Sequence, residues 1–232
     1  MSSEKNRVLL EAINEILEAE TLHIVEKYGE LTLEINKDKI VSVMRVLKEA
    51  DKFLFTQLID ISVVDYLTYG QADWQTQKAS SQGFSRAVNQ SETVDTSASE
   101  RRFAVVYQLL SVTYNVRLRV KVFLESDLPR LSTVSEIWPV ADWYERESFD
   151  LFGILFEDHP DLRRLLTDYG FIGHPFRKDF PLEGYVEVRY DPEKGRVVNE
   201  PVSIEPRTLV PRVIRQDDWV HSSKPSSEQT DA

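Results

Sequence analysis

The stretch DWYERESFDLFGILFEDHPDLRRLL, residues 142–166, is the most informative part of the sequence. It concentrates carboxylates, arginines, aromatic side chains and one histidine in a segment that otherwise has the composition of buried chain. Pro139 fits the first turn of a helix, where no backbone N–H is needed, and Gly153 fits the position just after a helix end. The pattern predicts a helix from residue 139 to about 152, followed by an extended chain that is rich in proline, glycine and charge.

The predicted helix has two chemically different sides at about 100° per residue. The apolar side, which is predicted to face the core, carries Val140, Ala141, Tyr144 and Leu151. The opposite side carries charges at i, i+4 spacing, namely Asp142, Arg146 and Asp150. Glu147 falls at the edge of the apolar side and needs a partner such as Arg163 or Arg164, because desolvating a lone carboxylate costs several kcal/mol. Trp143 and Phe149 fall among the charges, so this side is also predicted to be covered, by another chain or by the following segment.

Three interpretations of this segment stay open from the residues alone. The charges could form an internal network that packs the following segment against the helix, or they could bind a partner. An enzyme would instead use Glu147 and Asp150 as paired carboxylates for acid–base catalysis, together with His159. Because no nucleophile motif, phosphate-binding loop or second histidine at metal spacing accompanies them, catalysis by this chain alone is the least favoured of the three.

The composition excludes several classes of protein. The 232 residues carry a net charge of −11, whereas a protein that binds nucleic acid usually shows a basic excess. The absence of cysteine removes disulfides, cysteine nucleophiles and thiolate ligation of iron–sulfur clusters. No apolar run approaches the roughly 18–20 residues needed to cross a bilayer, and the amino terminus lacks the apolar region of a secretory signal. The four histidines are scattered, so no metal site is predicted.

The remaining sequence predicts both helices and strands. Apolar residues at helical spacing predict two helices, over residues 4–20 and 39–50, with Asp38 as the cap of the second. Strands are predicted at 23–28, 31–35, 102–113 and 116–124, the last two as a hairpin. A capping-box pattern predicts a short helix at 133–138, and a surface hairpin is predicted near 185–198.

Several spaced motifs resemble one protein family. The first is ERExxDLF, beginning at Glu145, with His159 and an RxLL motif at Arg163 after it. The stretches GHPFRKDFP, residues 173–181, and VEVRY, residues 186–190, follow in order. Together they are similar to the signature of the respiratory complex I 30 kDa subunit, also called the C-type subunit of NADH-quinone oxidoreductase.

The resemblance implies an α+β fold, in which a mixed sheet with flanking helices is followed by a long extended carboxy-terminal segment. The α+β domain would cover residues 1–155. The polar stretch at about 70–100 is predicted from its composition, in which Gln, Ser, Thr and Ala dominate, to be an inserted surface loop, and this insertion departs from the compact pattern of the family. The extended segment would cover residues 156–211 and wrap a partner. Residues 212–232 are predicted to be a flexible tail.

The resemblance also implies a function. The chain would be a scaffold subunit in the peripheral arm of a proton-translocating NADH-quinone oxidoreductase, a complex that passes electrons from NADH through FMN and iron–sulfur clusters to quinone. It would bind no cofactor and have no independent catalytic activity. Its partners would be other complex I subunits, chiefly the 49 kDa-type subunit of the quinone module. Because the sequence shows no transit peptide, a bacterial form is expected, on the cytoplasmic side of the inner membrane and held there only through the complex.

The residues predicted to hold the domain to the segment or to contact a partner are Glu145, Arg146, Glu147, Asp150, His159, Arg163, Arg164, His174, Arg177, Lys178 and Asp179. None of them is predicted to be catalytic or to bind a cofactor or metal. Two alternatives remain at this point. One is the equivalent subunit of a related membrane-bound hydrogenase complex, and the other is the stand-alone acid–base enzyme that uses Glu147 and Asp150.

Overall fold

A five-stranded mixed sheet holds the core of this computed structural model, which describes residues 2–67, 69, 101–125 and 128–204. The strands are β1 Thr21–Lys27, β2 Glu30–Ile35, β3 Gln57–Asp65, β4 Phe103–Ser111 and β5 Val116–Leu124. Their order is β1-β2-β5-β4-β3, and every neighbouring pair is antiparallel except the parallel pair β2–β5. The predicted loop at 70–100, residues 205–211 of the predicted extended segment and the predicted tail at 212–232 lie outside the described residues.

Local rules explain the strands that the sequence predicted. The buried positions of β5 alternate with less buried ones, and they are Leu118, Val120, Val122 and Leu124. Arg119 and Lys121 lie between them on the opposite face of the sheet, as the two-residue period of a strand requires. The turn between β1 and β2 consists of Tyr28 and Gly29, with φ of 55° and 78°. Positive φ at both positions is what a two-residue turn of type I′ needs.

Two helices contribute to the core of the sheet, α1 Ser2–Leu17 and α2 Ile40–Glu49. Their side chains within the core are Leu9, Ile13, Leu17, Ile40, Val43, Met44 and Leu47. The predicted cap, Asp38, is wrong. The Asn36 side chain accepts the Asp38 N–H at 3.3 Å, because a short 3₁₀ turn at Lys37–Lys39 precedes α2 and moves the cap one turn earlier.

A third helix, α3 Ala141–Phe152, ends where the sequence predicted. Gly153 follows it in the left-handed conformation, with φ of 75°, and its N–H donates to the carbonyl of Phe149 at 2.8 Å. This is the usual geometry of a glycine after a helix end. The helix begins at Ala141 and not at Pro139, because Pro139 and Val140 form a turn.

The predicted short helix at 133–138 is wrong, since these residues form a single turn. The Ile137 and Trp138 N–H groups both donate to the Val134 carbonyl at 2.9 Å. The Thr133 hydroxyl does accept the Ser135 N–H at 3.1 Å, as in a helix cap. No helix grows from this cap, because Pro139 follows within two turns and cannot continue a helical hydrogen-bond ladder.

Two pairs of short strands complete the described structure. Strands β6 Arg130–Ser132 and β7 Leu155–Glu157 pair in parallel on either side of α3 in the chain. Strands β8 Val186–Asp191 and β9 Arg196–Pro201 form the predicted antiparallel surface hairpin. Among the described helices, none is long and apolar enough to cross a bilayer.

Candidate functional site

Glu145 lies in α3 with its side chain fully buried. Its carboxylate accepts the Val134 N–H at 2.8 Å and the Thr133 hydroxyl, so it ties α3 to the turn after β6. Burial raises the pKa of Glu145 to about 7, against the opposing effect of the hydrogen bonds from Thr133 and Val134. The charge of Asp142 raises this pKa further. Glu145 therefore holds a proton at a pH where a surface glutamate is ionised.

His159 shares this buried site, and its side chain is fully shielded from solvent. Its Nδ1 accepts the Asp161 N–H at 3.1 Å, which assigns the ring proton to Nε2. Nε2 lies 3.1 Å from Asp142 Oδ1 and 3.8 Å from Glu145 Oε2. The residues after β7 are thus joined to α3 through a histidine between two carboxyl groups.

The raised pKa of Glu145 predicts that stability depends on pH. Because the unfolded side chain titrates near its ordinary value of 4.5, the folded chain binds more protons between pH 4.5 and about 7. The free energy of unfolding should therefore fall by about 3 kcal/mol as pH rises through this window, and then level off. Glu145→Gln cannot ionise, so the stability of the wild type relative to this variant, measured by urea unfolding, should decline with rising pH. A difference that stays constant from pH 5 to pH 8 would contradict the assignment.

Asp150 anchors the residues that follow α3. One carboxylate oxygen accepts the N–H groups of Leu165, Leu166 and Thr167 at 3.0, 2.7 and 2.8 Å. The other accepts the Thr167 hydroxyl and the Arg164 Nη1 group, the latter at 3.0 Å. Burial by itself raises the pKa of Asp150, but the hydrogen bonds from Thr167 and the backbone outweigh it and lower the pKa to about 2. Asp150 is therefore ionised at neutral pH and surrounded by hydrogen-bond donors.

Arg164 extends this anchor along the chain. Besides Asp150, its Nη1 contacts the Thr167 hydroxyl at 3.0 Å, and its Nη2 donates to the Gly173 carbonyl at 2.9 Å. Its guanidinium lies 5.9 Å from the centre of the Phe171 ring. One arginine thus fixes the path of the chain from residue 164 to residue 173.

The carboxy-terminal end of α3 is covered by the same segment. His174 Nδ1 donates to the Asp150 carbonyl at 2.9 Å, and Arg177 Nε donates to the Phe152 carbonyl at 2.6 Å. These bonds satisfy carbonyl groups that have no partner within the helix. A Cβ atom on Gly153 would lie 2.6 Å from both His174 Nε2 and Arg177 Nη2. Burial lowers the pKa of His174 against the opposing effect of the hydrogen bond to the Asp150 carbonyl, and the charge of Arg177 lowers this pKa further.

A second set of charges holds the segment to the sheet, and sequence reasoning missed two of its members. Asp65, buried at the end of β3, accepts Arg102 Nε and Nη2 at 3.0 and 2.9 Å. It also accepts the Lys178 N–H at 2.9 Å, and Arg102 Nη2 reaches Asp179 Oδ2 at 2.8 Å. Burial raises the pKa of Asp65, but the hydrogen bonds from Arg102 and Lys178 bring it below its ordinary value. In the sequence, this site shows only as a single aspartate at the end of a strand. No sequence pattern links that aspartate to residues 178 and 179.

The structure differs from the prediction for Glu147. Its side chain is half-buried, and within the described residues no ion pair or hydrogen bond reaches it. The predicted partners bind elsewhere, because Arg163 pairs with Asp161 at 2.9 Å and Arg164 pairs with Asp150. The glutamate that is buried and bonded is the one two residues earlier in the same motif.

The predicted i, i+4 ion pairs of Arg146 are also replaced by other contacts. Arg146 is 8% exposed, its Nε donates to the Arg163 carbonyl at 3.3 Å, and its guanidinium lies 5.3 Å from the centre of the Trp143 ring. Phe149 meets His174 edge-on, with 6.1 Å between ring centres. The charged side of α3 is thus covered by the following segment, as predicted, although Trp143 remains 57% exposed.

The charged groups around α3 are arranged for a structural role rather than for catalysis. Both oxygens of Asp150 already accept hydrogen bonds, and its pKa is lowered to about 2, so the carboxylate is ionised and fully bonded near neutral pH. It is therefore poorly suited to the acid–base role in which it would be paired with Glu147. Within the described ranges, no group of histidine, aspartate and glutamate side chains is placed to hold a metal ion.

Comparisons with known proteins agree on one family. A family model described as respiratory-chain NADH dehydrogenase, 30 Kd subunit, matches residues 33–186. The C-type subunit of the NADH-quinone oxidoreductase of Legionella pneumophila strain Corby is 50% identical over 213 residues, which cover 92% of this chain and 94% of that protein. Proteins of the same name from Halorhodospira halophila and Hydrogenovibrio crunogenus are 55% and 57% identical over 203 and 195 residues. These matches cover 82% of this chain in both cases, and 82% and 86% of the two relatives.

A solved structure resembles the chain at the level of the fold. It is a chain from a structure of the membrane-bound sulfane sulfur reductase, an archaeal respiratory membrane complex, with a TM-score of 0.51 and 24% identity. The match covers 77% of this chain and 86% of that one. At this identity the likeness supports the α+β architecture and nothing finer.

Proposed function

This chain belongs to the respiratory-chain NADH dehydrogenase 30 kDa subunit family, and we propose that it is a scaffold subunit in the peripheral arm of a proton-translocating NADH-quinone oxidoreductase. The observation that carries the proposal is the buried carboxylate of Asp150. It accepts hydrogen bonds from the backbone of residues 165–167 and so holds the following segment to the end of α3. This arrangement supports a structural role, because a carboxylate whose oxygens all accept hydrogen bonds holds the backbone in place and has no free oxygen for a reaction.

The proposed partner is the 49 kDa-type subunit of the quinone module. The residues that follow α3 form few regular elements and expose large apolar side chains at several positions, among them Leu166, Tyr169, Ile172 and Leu182. An exposed surface of this kind is typical of a protein interface. We therefore infer that residues 156–211 run along the 49 kDa-type subunit, and that the anchors at Asp150 and Asp65 set the direction in which they leave the domain.

The redox groups of the complex would lie on other subunits. The sequence offers no cysteine thiolate for an iron–sulfur cluster. The clusters are therefore assigned to the partners. The proposal places FMN and quinone on the partners as well, so that this chain would support electron transfer by holding the partner subunits in place. Its location would be the cytoplasmic side of a bacterial inner membrane, reached only through the complex.

The alternative of a related hydrogenase complex has weaker support. The curated relatives compared above are all named as C-type subunits of NADH-quinone oxidoreductase, and they cover most of this chain. The fold likeness to the archaeal complex does not distinguish between the two assemblies.

Native purification tests the proposal. A tagged full-length chain, extracted from membranes in mild detergent, should comigrate with NADH:quinone oxidoreductase activity on a native gel. Lysine cross-linking of that complex should join Lys178 and Lys194, which are exposed, to the 49 kDa-type subunit. Lys52, an exposed lysine of the α+β domain, serves as the matched control and should give fewer links to that subunit. A chain that migrates alone, or with a complex that does not oxidise NADH, would refute the proposal.

A further inference from the structure

Four titratable side chains face the buried site around Glu145, and the proposed function uses none of their chemistry. Glu145 and Asp142 come from α3, Tyr107 comes from β4, and His159 follows β7. The first, third and fourth of these side chains are fully shielded from solvent, whereas the side chain of Asp142 is 32% exposed. Tyr107 stays neutral, because burial and the charge of Glu145 raise its pKa well above the ordinary value. Among the described residues, no lysine or arginine forms an ion pair with Glu145, so His159 alone in the cluster can supply a positive charge.

The carboxyl group of Glu145 is hydrogen-bonded to the turn after β6 in both of its protonation states. In the ionised state it accepts the Thr133 hydroxyl and the Val134 N–H. In the protonated state it donates to the Thr133 oxygen, and the Thr133 hydroxyl then donates to Ser135 Oγ, which lies 2.9 Å away. This turn can therefore keep its place in either state, and the effect of a change in charge falls on His159.

The hydrogen bonds of His159 require a neutral ring. Its Nδ1 accepts the Asp161 N–H at 3.1 Å, and its Nε2 donates toward Asp142, with 3.1 Å to Oδ1 and 3.3 Å to the carbonyl oxygen. A second ring proton would lie on Nδ1 and would point at the Asp161 N–H, so that two donors would face each other. His159 can therefore balance the charge of an ionised Glu145 only by giving up its hydrogen bond with Asp161.

Ionisation of Glu145 therefore weakens the contact between α3 and the residues after β7. It puts a second negative charge beside that of Asp142, with Oε2 at 3.8 Å from His159 Nε2. If the ring stays neutral, a carboxylate is buried without a cation, which is costly. If the ring takes up a proton, the hydrogen bond between His159 and Asp161 is lost. Both responses favour the departure of residues 158–161 from α3.

We propose that Glu145 and His159 form a pH-sensitive switch, in which a protonated Glu145 and a neutral His159 hold residues 158–161 against α3, and loss of the Glu145 proton to solvent releases them. The released carboxyl group has its ordinary pKa of 4.5, whereas the buried one has a pKa of about 7. Release is therefore coupled to the loss of a proton, so it becomes easier as pH rises from 4.5 to about 7 and then stops changing. The switch is a property of this chain alone and does not depend on the proposed function.

Hydrogen exchange of the Asp161 amide, followed by NMR in the full-length chain, tests the switch, because release breaks the hydrogen bond of this N–H. Glu145→Gln is the matched control, since glutamine cannot ionise and still accepts the Val134 N–H. Dividing the wild-type exchange rate by the E145Q rate at each pH also removes the intrinsic pH dependence of exchange. With pKa values of 4.5 and about 7, this ratio should rise about thirtyfold between pH 5 and pH 7 and then level off. The Asp161 amide should also exchange at least about tenfold faster than the amides of the central strand β4, because it is released by local opening.

Asp142→Asn gives a second measurement if E145Q does not fold. Because the charge of Asp142 raises the pKa of Glu145, Asp161 exchange corrected for its intrinsic rate should level off at a lower pH in D142N than in the wild type. A ratio that stays constant from pH 5 to pH 8, or a D142N profile identical to that of the wild type, would overturn the switch. An Asp161 amide that exchanges as slowly as those of β4 would also overturn it, since residues 158–161 would then leave only when the whole chain unfolds. So would ¹⁵N shifts that show protons on both nitrogens of His159 while the Asp161 amide stays protected.

Discussion

Replacing Asp150 by alanine should destabilise the chain by about 3–5 kcal/mol and release the residues that follow α3, because the change leaves a partly buried guanidinium without its partner. Arg164 would lose its ion pair at 3.0 Å, with only a quarter of its side chain exposed. The N–H groups of Leu165, Leu166 and Thr167 would lose their common acceptor at the same time. Each donor left without a partner adds to the cost.

Two readouts check this result. Urea unfolding measures the free energy, and limited trypsin digestion should cut after Arg164 much faster in D150A than in the wild type. Asp161→Ala is the matched control, since it removes an exposed carboxylate that pairs with Arg163 in the same segment, and it should change stability by no more than about 0.5 kcal/mol. Equal effects of D150A and D161A would show that Asp150 is not an anchor.

Because the pKa of Asp150 is lowered, the predicted loss of stability in D150A should depend on pH. A carboxyl whose folded pKa is about 2, against an ordinary value of 3.8, stabilises the fold above pH 3.8 and loses that contribution as pH falls toward 2. The difference between the wild type and D150A should therefore be full at neutral pH and shrink in acid. Glu145 has the opposite sign, because its pKa is raised and its contribution falls as pH rises.

Local periodicity was sufficient to predict most of the secondary structure. The alternation in β5 and the end of α3 at Gly153 each depend on residues within a few positions of one another. The resemblance of the motif from Glu145 onward was enough to identify the family, which the comparisons then confirmed.

The orientation of α3 could not be predicted from the same information. Helical phasing assumes one buried side and one exposed side, but α3 packs on the domain and is also covered by the following segment. Val140, predicted to face the core, is 42% exposed, while Glu145 and Asp150 on other sides are fully buried. With two covered sides, the pattern of apolar residues no longer tells which of two neighbouring glutamates is inside.

Contacts between distant residues were beyond prediction for a different reason. Asp65 meets Arg102 and the Lys178 N–H across 37 and 113 positions of the chain. Nothing in the local sequence of a strand-end aspartate specifies such partners. The pairing follows from the sheet order, which places the end of β3 beside the start of β4, and that order depends on the whole fold.

Gly153→Ala should destabilise the chain by about 2–4 kcal/mol, because the position combines a backbone constraint with a steric one. Its φ of 75° lies in the left-handed region, which costs a residue with a Cβ roughly 1–2 kcal/mol. The new methyl group would also lie 2.6 Å from His174 Nε2 and from Arg177 Nη2. Neither side chain can move away without giving up its hydrogen bond to the Asp150 or Phe152 carbonyl, each worth about 1 kcal/mol.

Gly184→Ala is the matched control for this substitution. Gly184 has the same φ of 75°, but a Cβ there would meet nothing within 4 Å, so only the backbone cost remains. Urea unfolding of G153A and G184A therefore separates the two contributions, and the difference between them measures the contact with His174 and Arg177. If both variants lose the same stability, these side chains are free to move and do not clamp the end of α3. If G153A loses more, a glycine is required at position 153 because His174 and Arg177 pack directly against it. The residue that follows the ERExxDLF motif would then have to be glycine so that the GHPFRKDFP stretch can pack on the end of α3.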